Sequence, residues 1–223
     1  MNKRQLKDLL FEQVARLGKA ASSPKRLELL ELLAQGEKSV EALAAELAIP
    51  VKLASSHLRV LREARMVCAR KDGKFVLYSL AGADVASLWV AMREVAQEHL
   101  VELRVALEGF AAAPGALDGR SREQLLEQAR RGEVVVIDVR PRAEFDRAHL
   151  PFARSMPLDE VAARVSELPE GAEVVAYCRG PFCMFADEAV ALLKASGRDA
   201  RKLSDGVAEW RRAGLRLESK EST

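Results

Sequence analysis

The stretch that most constrains this chain is Glu173-Val174-Val175-Ala176-Tyr177-Cys178-Arg179-Gly180-Pro181-Phe182-Cys183-Met184. Val174 to Tyr177 form an apolar run short enough, and β-favouring enough, to be a strand buried on both faces. The run stops at Cys178, and Gly180-Pro181 forbid regular structure immediately after it. From Ala186, the apolar positions Ala186, Ala189, Val190 and Leu193 recur at helical spacing. A cysteine is thus placed between the end of a strand and the start of a helix, where backbone N–H groups converge. Such a place favours a thiolate and an anion beside it. Two readings stand for the residue itself: a small packed hydrophobe, or a nucleophile.

The strand does not stand alone. Val134 to Val139 is a second apolar run, and helical and strand patterns alternate around the two. Helices are predicted over 121–131, 142–147, 158–168, 185–196 and 206–213, with strands over 134–139, 173–177 and about 200–203. That order predicts an α/β domain with a mainly parallel sheet. Before it lies Ala111-Ala112-Ala113-Pro114-Gly115-Ala116, small residues with a Pro-Gly break, read as a linker. The resulting division is 1–110, a linker at 111–117, and 118–223.

The first half has a different pattern. Leu6, Leu9, Leu10, Val14 and Leu17 predict an amphipathic helix, and Ser23-Pro24 opens a second with a Ser cap and Pro at its first position. A third helix starts at Ser39, a fourth covers Val51 to Ala64, and strands at Met66–Lys71 and Phe75–Leu80 are joined at Asp72-Gly73. A long helix over 84–109 follows. Helix, short turn, helix and basic hairpin make a winged helix-turn-helix. In the fourth helix, Ala54, Leu58 and Leu61 fall on one face, while Lys52, Ser55, Ser56, Arg59 and Arg62 fall on the other, a set suited to base edges and phosphates. Arg70, Lys71 and Lys74 extend it into the wing. Residues 1–110 carry 17 Lys and Arg against 14 Asp and Glu, although the whole chain is only +2. A basic stripe within one supersecondary unit points to a polyanion such as duplex DNA, or else to a solvated face.

No apolar run approaches the ~20 residues of a membrane span, and Met1–Gln5 leads into charged amphipathic sequence rather than a signal peptide. Three cysteines make no disulfide framework, so the expected compartment is the reducing cytoplasm, with no membrane partner.

Four segments resemble the rhodanese (sulfurtransferase) family over about residues 118–218: Asp138-Val139-Arg140; Glu144-Phe145 with Ala148-His149-Leu150-Pro151; Cys178 at its strand end; and Asp205-Gly206 with Trp210. The resemblance implies that Cys178 is a sulfur-accepting nucleophile that becomes a persulfide. It implies that Asp138, Arg140, Glu144 and His149 are structural, and Trp210 core. Related phosphatase loops carry Arg six positions after the cysteine. Here that position is Met184, which argues against phosphatase or arsenate-reductase chemistry. Sulfurtransferase loops often end in a polar or basic residue, whereas this one ends in Cys183, so a persulfide or polysulfide is as fitting a donor as thiosulfate. Cys183 is a candidate resolving thiol or a packed cysteine, and Arg179 a candidate anion contact or a solvated rim residue. Ala148 and Phe152 stand where the family often has Gly, so the backbone there is expected to differ.

Leu43 to Leu47 with Ser55-Ser56-His57-Leu58-Arg59-Val60-Leu61-Arg62-Glu63-Ala64 resembles the ArsR/SmtB family of bacterial repressors, over about residues 8–108. That resemblance implies a homodimer built on the first and last helices. It also raises metal sensing, but His99 and Glu102 lack a matching pair and two ligands make no site, so no metal and no cofactor are expected. Cys68 is expected in the core, and His57 packed or on a phosphate.

These readings combine as a cytoplasmic, homodimeric regulator that binds a DNA operator and senses or transfers sulfane sulfur through Cys178. The alternative is a sulfurtransferase enzyme in which the winged helix is mainly a dimerisation scaffold. A third reading is an inert rhodanese domain that binds a partner or an oxyanion.

Overall fold

A computed structural model describes residues 1–110 and 121–220; the linker expected at 111–117 lies outside them. The chain folds as two compact units, Met1–Trp89 and Val90–Thr223.

The first unit begins with α1 (Lys3–Ala21), opened by a reciprocal cap in which Asn2 accepts from the Gln5 amide and Gln5 accepts from the Asn2 amide. Next comes α2 (Pro24–Ala34), with Pro at its first position and Ser23 before it. Ser23 makes no side-chain cap, so its role there is carried by its backbone carbonyl. After β1 (Lys38–Ser39), the Ser39 hydroxyl accepts from the Ala42 amide and starts α3 (Val40–Glu46). Ala48, with a left-handed φ of 51°, turns the chain into α4 (Val51–Glu63), and Arg65 at φ 60° turns it out again. The strands β2 (Val67–Asp72) and β3 (Phe75–Leu80) pair antiparallel. Their turn falls at Gly73-Lys74, since Asp72 still pairs with Phe75; Gly73 takes φ 57°. β3 is the middle strand of a three-stranded sheet, β1-β3-β2.

The core of this unit joins Leu29, Leu30 and Leu33 of α2 to Leu43 of α3 and to Ala54, Leu58 and Leu61 of α4. Each fully buried Leu contributes about 1.5–3 kcal/mol. The α4 face expected from the sequence is the one that is buried. The apolar face of α1 is not: Leu6, Leu9, Leu10, Phe11, Val14 and Leu17 are all exposed, and only Ala20 and Ala21 are covered. Cys68 is exposed too, against expectation, because alternation along β2 puts Val67 inward and Cys68 outward.

α5 (Ala83–His99) starts in the first unit and crosses into the second. The single helix expected over 84–109 is interrupted at Leu100 and resumes as α6 (Val101–Phe110). The interruption is one residue wide: the Leu100 amide still bonds Ala96, while its carbonyl accepts from both Leu103 and Arg104, a tightened first turn.

The rest of the second unit alternates helix and strand. α7 (Arg122–Arg130) opens with a capping box between Ser121 and Gln124. Then follow β4 (Val134–Asp138), α8 (Arg142–Arg147), β5 (Arg154–Ser155), α9 (Leu158–Arg164) with a 3-10 turn at Val165–Glu167, β6 (Glu173–Tyr177), α10 (Phe185–Ala195), β7 (Ala200–Lys202) and α11 (Val207–Arg212). The sheet order is β5-β4-β6-β7, all parallel. Parallel strands need crossovers, and the helices supply them on both faces. Strand alternation divides the core. Val135, Ile137, Val174, Ala176 and Cys178 share one layer with Ala186, Ala189, Val190 and Leu193 of α10, and Val134, Val136, Val175 and Tyr177 share the other with Leu125 and Trp210. A one-residue slip of β6 would exchange the layers and turn Cys178 away from α10. Phe152 keeps a left-handed φ of 65° where a glycine would be unstrained. No helix among the described residues is long and apolar enough to cross a membrane.

Candidate functional site

The sheet's register fixes where chemistry can occur. β6 is flanked by β4 and β7, so its end lies at the carboxyl edge of the sheet, the edge where ligands of parallel α/β folds bind. Cys178 is the first residue past β6, and the loop closes back when the Cys183 amide donates to the Gly180 carbonyl at 3.1 Å. Gly180 has φ 144°, a region reserved for glycine. On the far side, a Cβ on Gly206 would stand 2.7 Å from the Cys178 carbonyl oxygen and from Arg179 C, so only glycine admits the loop against the start of α11.

Cys178 is 1% exposed and Cys183 9%. The Cys178 thiol faces the Cys183 carbonyl at 3.4 Å and the Gly180 carbonyl at 3.9 Å, as a donor. The two side chains also share a hydrogen bond, and the amides of Gly180 and Ala186 point to the Cys178 sulfur, those of Arg179 and Phe185 to the Cys183 sulfur. Burial pushes the Cys178 thiol well up, and charge on Cys183 pushes it further. Cys183 moves the other way, to about 6, because Cys178 donates to it, two amides face it and the Arg179 cation is near; burial opposes. The pair therefore gives up one proton at an acidity far beyond an ordinary thiol, and Cys178 holds the proton that remains.

The surrounding charges are paired. Arg179 reaches under the loop and grips Glu144 through Nε at 3.0 Å and Nη2 at 2.5 Å, both groups buried. Its guanidinium also lies 5.6 Å from the Phe185 ring centre. Arg179 thus stands as an ion-paired strut rather than a rim residue. Beneath it, Arg140 bonds Asp138 and the Ala148 carbonyl, and the Tyr177 hydroxyl donates to Asp138 at 2.6 Å. His149 Nδ1 lies 2.8 Å from the Phe145 carbonyl, and its ring stacks on Phe145. Trp210 is fully buried. Met184 is at the position where a phosphate loop would carry Arg.

Sequence reasoning missed Lys202. Its ammonium bonds the Cys183 carbonyl at 3.3 Å, the Pro181 carbonyl at 3.5 Å and Asp187 at 2.5 Å. The parallel register of β7 on β6, with Lys202 opposite Ala176, brings it there; no local pattern announces it. Among the described residues no cluster of three or more His, Cys, Asp or Glu can hold a metal.

In the first unit, α4 leaves Lys52, Ser56, Arg59 and Arg62 exposed and Ser55 half-buried, on the face opposite Ala54, Leu58 and Leu61. Lys71 and Lys74 are exposed at the wing tip. Arg70 differs: Nε and Nη2 hold Glu37 at 2.7 and 2.5 Å, so its charge is already matched. His57 is half-buried on α4.

Comparison with known proteins agrees with this anatomy. Residues 23–68 match the bacterial regulatory proteins of the arsR family, and residues 121–213 match the rhodanese-like domain. The HTH-type transcriptional regulator Rv0324 of Mycobacterium tuberculosis is 42% identical over 209 residues, covering 94% of this chain and 92% of that protein. A sulfurtransferase of Allochromatium vinosum is 30% identical over 99 residues, covering 44% of this chain and 90% of that one. Among solved structures, the solution structure of a homodimeric winged helix-turn-helix DNA-binding domain of Mycobacterium bovis is 42% identical. It covers 46% of this chain and 93% of that one, with a TM-score of 0.42. Matched over 94% of its length by a transcriptional regulator 42% identical to it, and carrying a rhodanese-like domain at residues 121–213, this chain belongs to the arsR family of bacterial regulatory proteins.

Proposed function

We propose that this regulator binds a DNA operator as a homodimer and that its rhodanese-like domain accepts sulfane sulfur at Cys178, with Cys183 as resolving thiol. The observation that carries the reading is the placement of two buried thiols in one loop at the end of β6, the Cys178 sulfur 3.4 Å from the Cys183 carbonyl and the loop closed by the Cys183 amide on Gly180. The dimer reading is supported by the uncovered apolar face of α1 and by Val95, Val101 and Val105 on α5 and α6, all exposed. The DNA reading rests on the α4 face of Lys52, Ser55, Ser56, Arg59 and Arg62, with Lys71 and Lys74 and, less freely, Arg70.

The chemistry follows from the acidity of the pair. The Cys183 thiolate takes the proton of Cys178, and the Cys178 thiolate attacks the outer sulfur of a hydropersulfide RS–SH. The donor S–S bond breaks, RS⁻ leaves carrying away the proton from Cys183, and Cys178 bears –S–SH. The amides of Gly180 and Ala186 stabilise the charge at that sulfur. The Cys183 thiolate then attacks the Cys178 sulfur, a disulfide forms and HS⁻ departs. Two thiols are oxidised and the sulfane sulfur is reduced to sulfide. A polysulfide or thiosulfate donor enters by the same first step.

Mass spectrometry of the chain after polysulfide exposure tests this. A gain of one sulfur, or loss of two hydrogens across the Cys178–Cys183 peptide, is expected, and neither in Cys178→Ser. Modification confined to the exposed Cys68 overturns the reading. The enzyme alternative, favoured by the likeness to a sulfurtransferase, instead predicts sustained turnover of donor and acceptor with operator affinity indifferent to the sulfur state.

A further inference from the structure

We propose that Arg93 of α5 is a positioning residue of the cysteine loop, so that the helix bearing it forms part of the sulfur site. Arg93 is 2% exposed, in the part of α5 that belongs to the second unit. It forms a buried ion pair with Glu209 of α11. Glu209 in turn accepts from the Gly206 amide at 2.6 Å, and Gly206 is the residue that lies against the Cys178 and Arg179 backbone. From its other side, the guanidinium sits 5.6 Å from the Phe182 ring centre. Its Nη1 lies 2.9 Å from where a Cβ on Gly180 would stand. Gly180 and Phe182 are two of the four residues that separate the cysteines, so Arg93 and Glu209 pack against the segment between the two thiols. Next to Arg93, Glu94 pairs with Arg212 and gives the same helix a second tie to α11.

Deep charge pairs are poor sources of net stability, because desolvation offsets their attraction. What a planar, forked cation does supply is direction. Arg93 packs its guanidinium against the Phe182 ring and beside Gly180, and it adds a cation to the charged groups round the loop: Arg179, Glu144, Lys202, Asp187 and Glu209. A sulfur added at Cys178, or a link to Cys183, would change the surroundings of Arg93, whose helix begins in the unit carrying α4. This deepens the sulfur-accepting reading and rests on it for its biological use.

The test is iodoacetamide alkylation of the Cys178–Cys183 peptide in the full chain across pH 5–10, read by mass spectrometry. Arg93→Gln removes the cation and is expected to move the midpoint up by about one unit, slowing the reaction about 3- to 10-fold at the acid end. Arg93→Lys is expected to restore part of the shift. Because Arg93→Gln leaves Glu209 buried without its cation, Arg93→Gln/Glu209→Gln is the second variant, keeping an acceptor for Gly206 with neither charge. A profile for the Gln variants that superimposes on wild type overturns the proposal, as does a Lys variant shifted as far as Gln. If wild-type Cys178 takes up no sulfur from polysulfide, the sulfur-accepting reading falls, while the alkylation profiles still decide the role of Arg93.

Discussion

Replacing Cys183 with Ser separates the acidity of the pair from that of the loop. In the wild-type chain the first proton leaves near pH 6, because Cys178 donates to Cys183 and the amides of Arg179 and Phe185 face the resulting thiolate. A lone buried Cys178 has only the Gly180 and Ala186 amides to set against burial, which pushes its thiol up. The alkylation midpoint is therefore predicted to rise from about 6 to beyond the ~8.5 of a free thiol. At pH 7 the ionised fraction falls from about nine-tenths to about 3%, some 30-fold, while the greater nucleophilicity of the less acidic thiolate returns about 10-fold. The rate at one pH is thus a weak readout and the midpoint a strong one. Cys183→Ser still accepts a sulfur at Cys178 above the new midpoint but forms no disulfide. The assay is the peptide-resolved alkylation profile. A Cys183→Ser midpoint that stays near 6, or a wild-type midpoint near that of a free thiol, would refute the reasoning.

Three further outcomes follow from the same geometry. Arg59→Ala is expected to weaken operator binding by about 1–3 kcal/mol if it reads a base, and Lys71→Ala or Lys74→Ala to lower the salt slope by about one unit each; titration at several salt concentrations checks both, with a smaller change for Arg70→Ala because Glu37 holds its guanidinium. Leu10→Glu/Phe11→Glu puts charge on the uncovered face of α1 and is expected to convert a dimer to monomer in sedimentation. Glu144→Gln leaves the buried Arg179 without its carboxylate and is expected to cost about 3–5 kcal/mol in urea unfolding, whereas Glu127→Gln, whose partners Arg130 and Arg131 are solvent-exposed, is expected to leave the unfolding midpoint nearly unchanged.

What the sequence made legible was what repeats or punctuates. The face of α4, the hairpin turn, the alternation in the second unit and the cysteine at the end of β6 all follow from period and from Gly or Pro. Long-range arrangements were not legible. Lys202 reaches the loop only through the register of β7 on β6, and Arg93 only through packing against Glu209 and Phe182. Its place at the start of the wing strand predicts Cys68 in the core; alternation from Val67 exposes it instead. Period predicts the α1 helix, but period alone does not say whether the partner of its apolar stripe lies in the same chain. From its place in the loop Arg179 reads as an anion contact or a rim cation, and the carboxylate that claims it is 35 residues away in sequence.

If the loop works as a sulfur sensor, its sulfur state changes operator binding. The direct measurement is operator affinity of the full chain, reduced and polysulfide-treated, with Cys178→Ser and Cys68→Ser alongside. A wild-type change of roughly 5- to 150-fold, the span of ordinary couplings, is predicted; it should vanish in Cys178→Ser and persist in Cys68→Ser. Equal affinity of the reduced and treated wild-type chain, with Cys178 shown to be modified, would mean that the loop does not signal to the operator-binding unit.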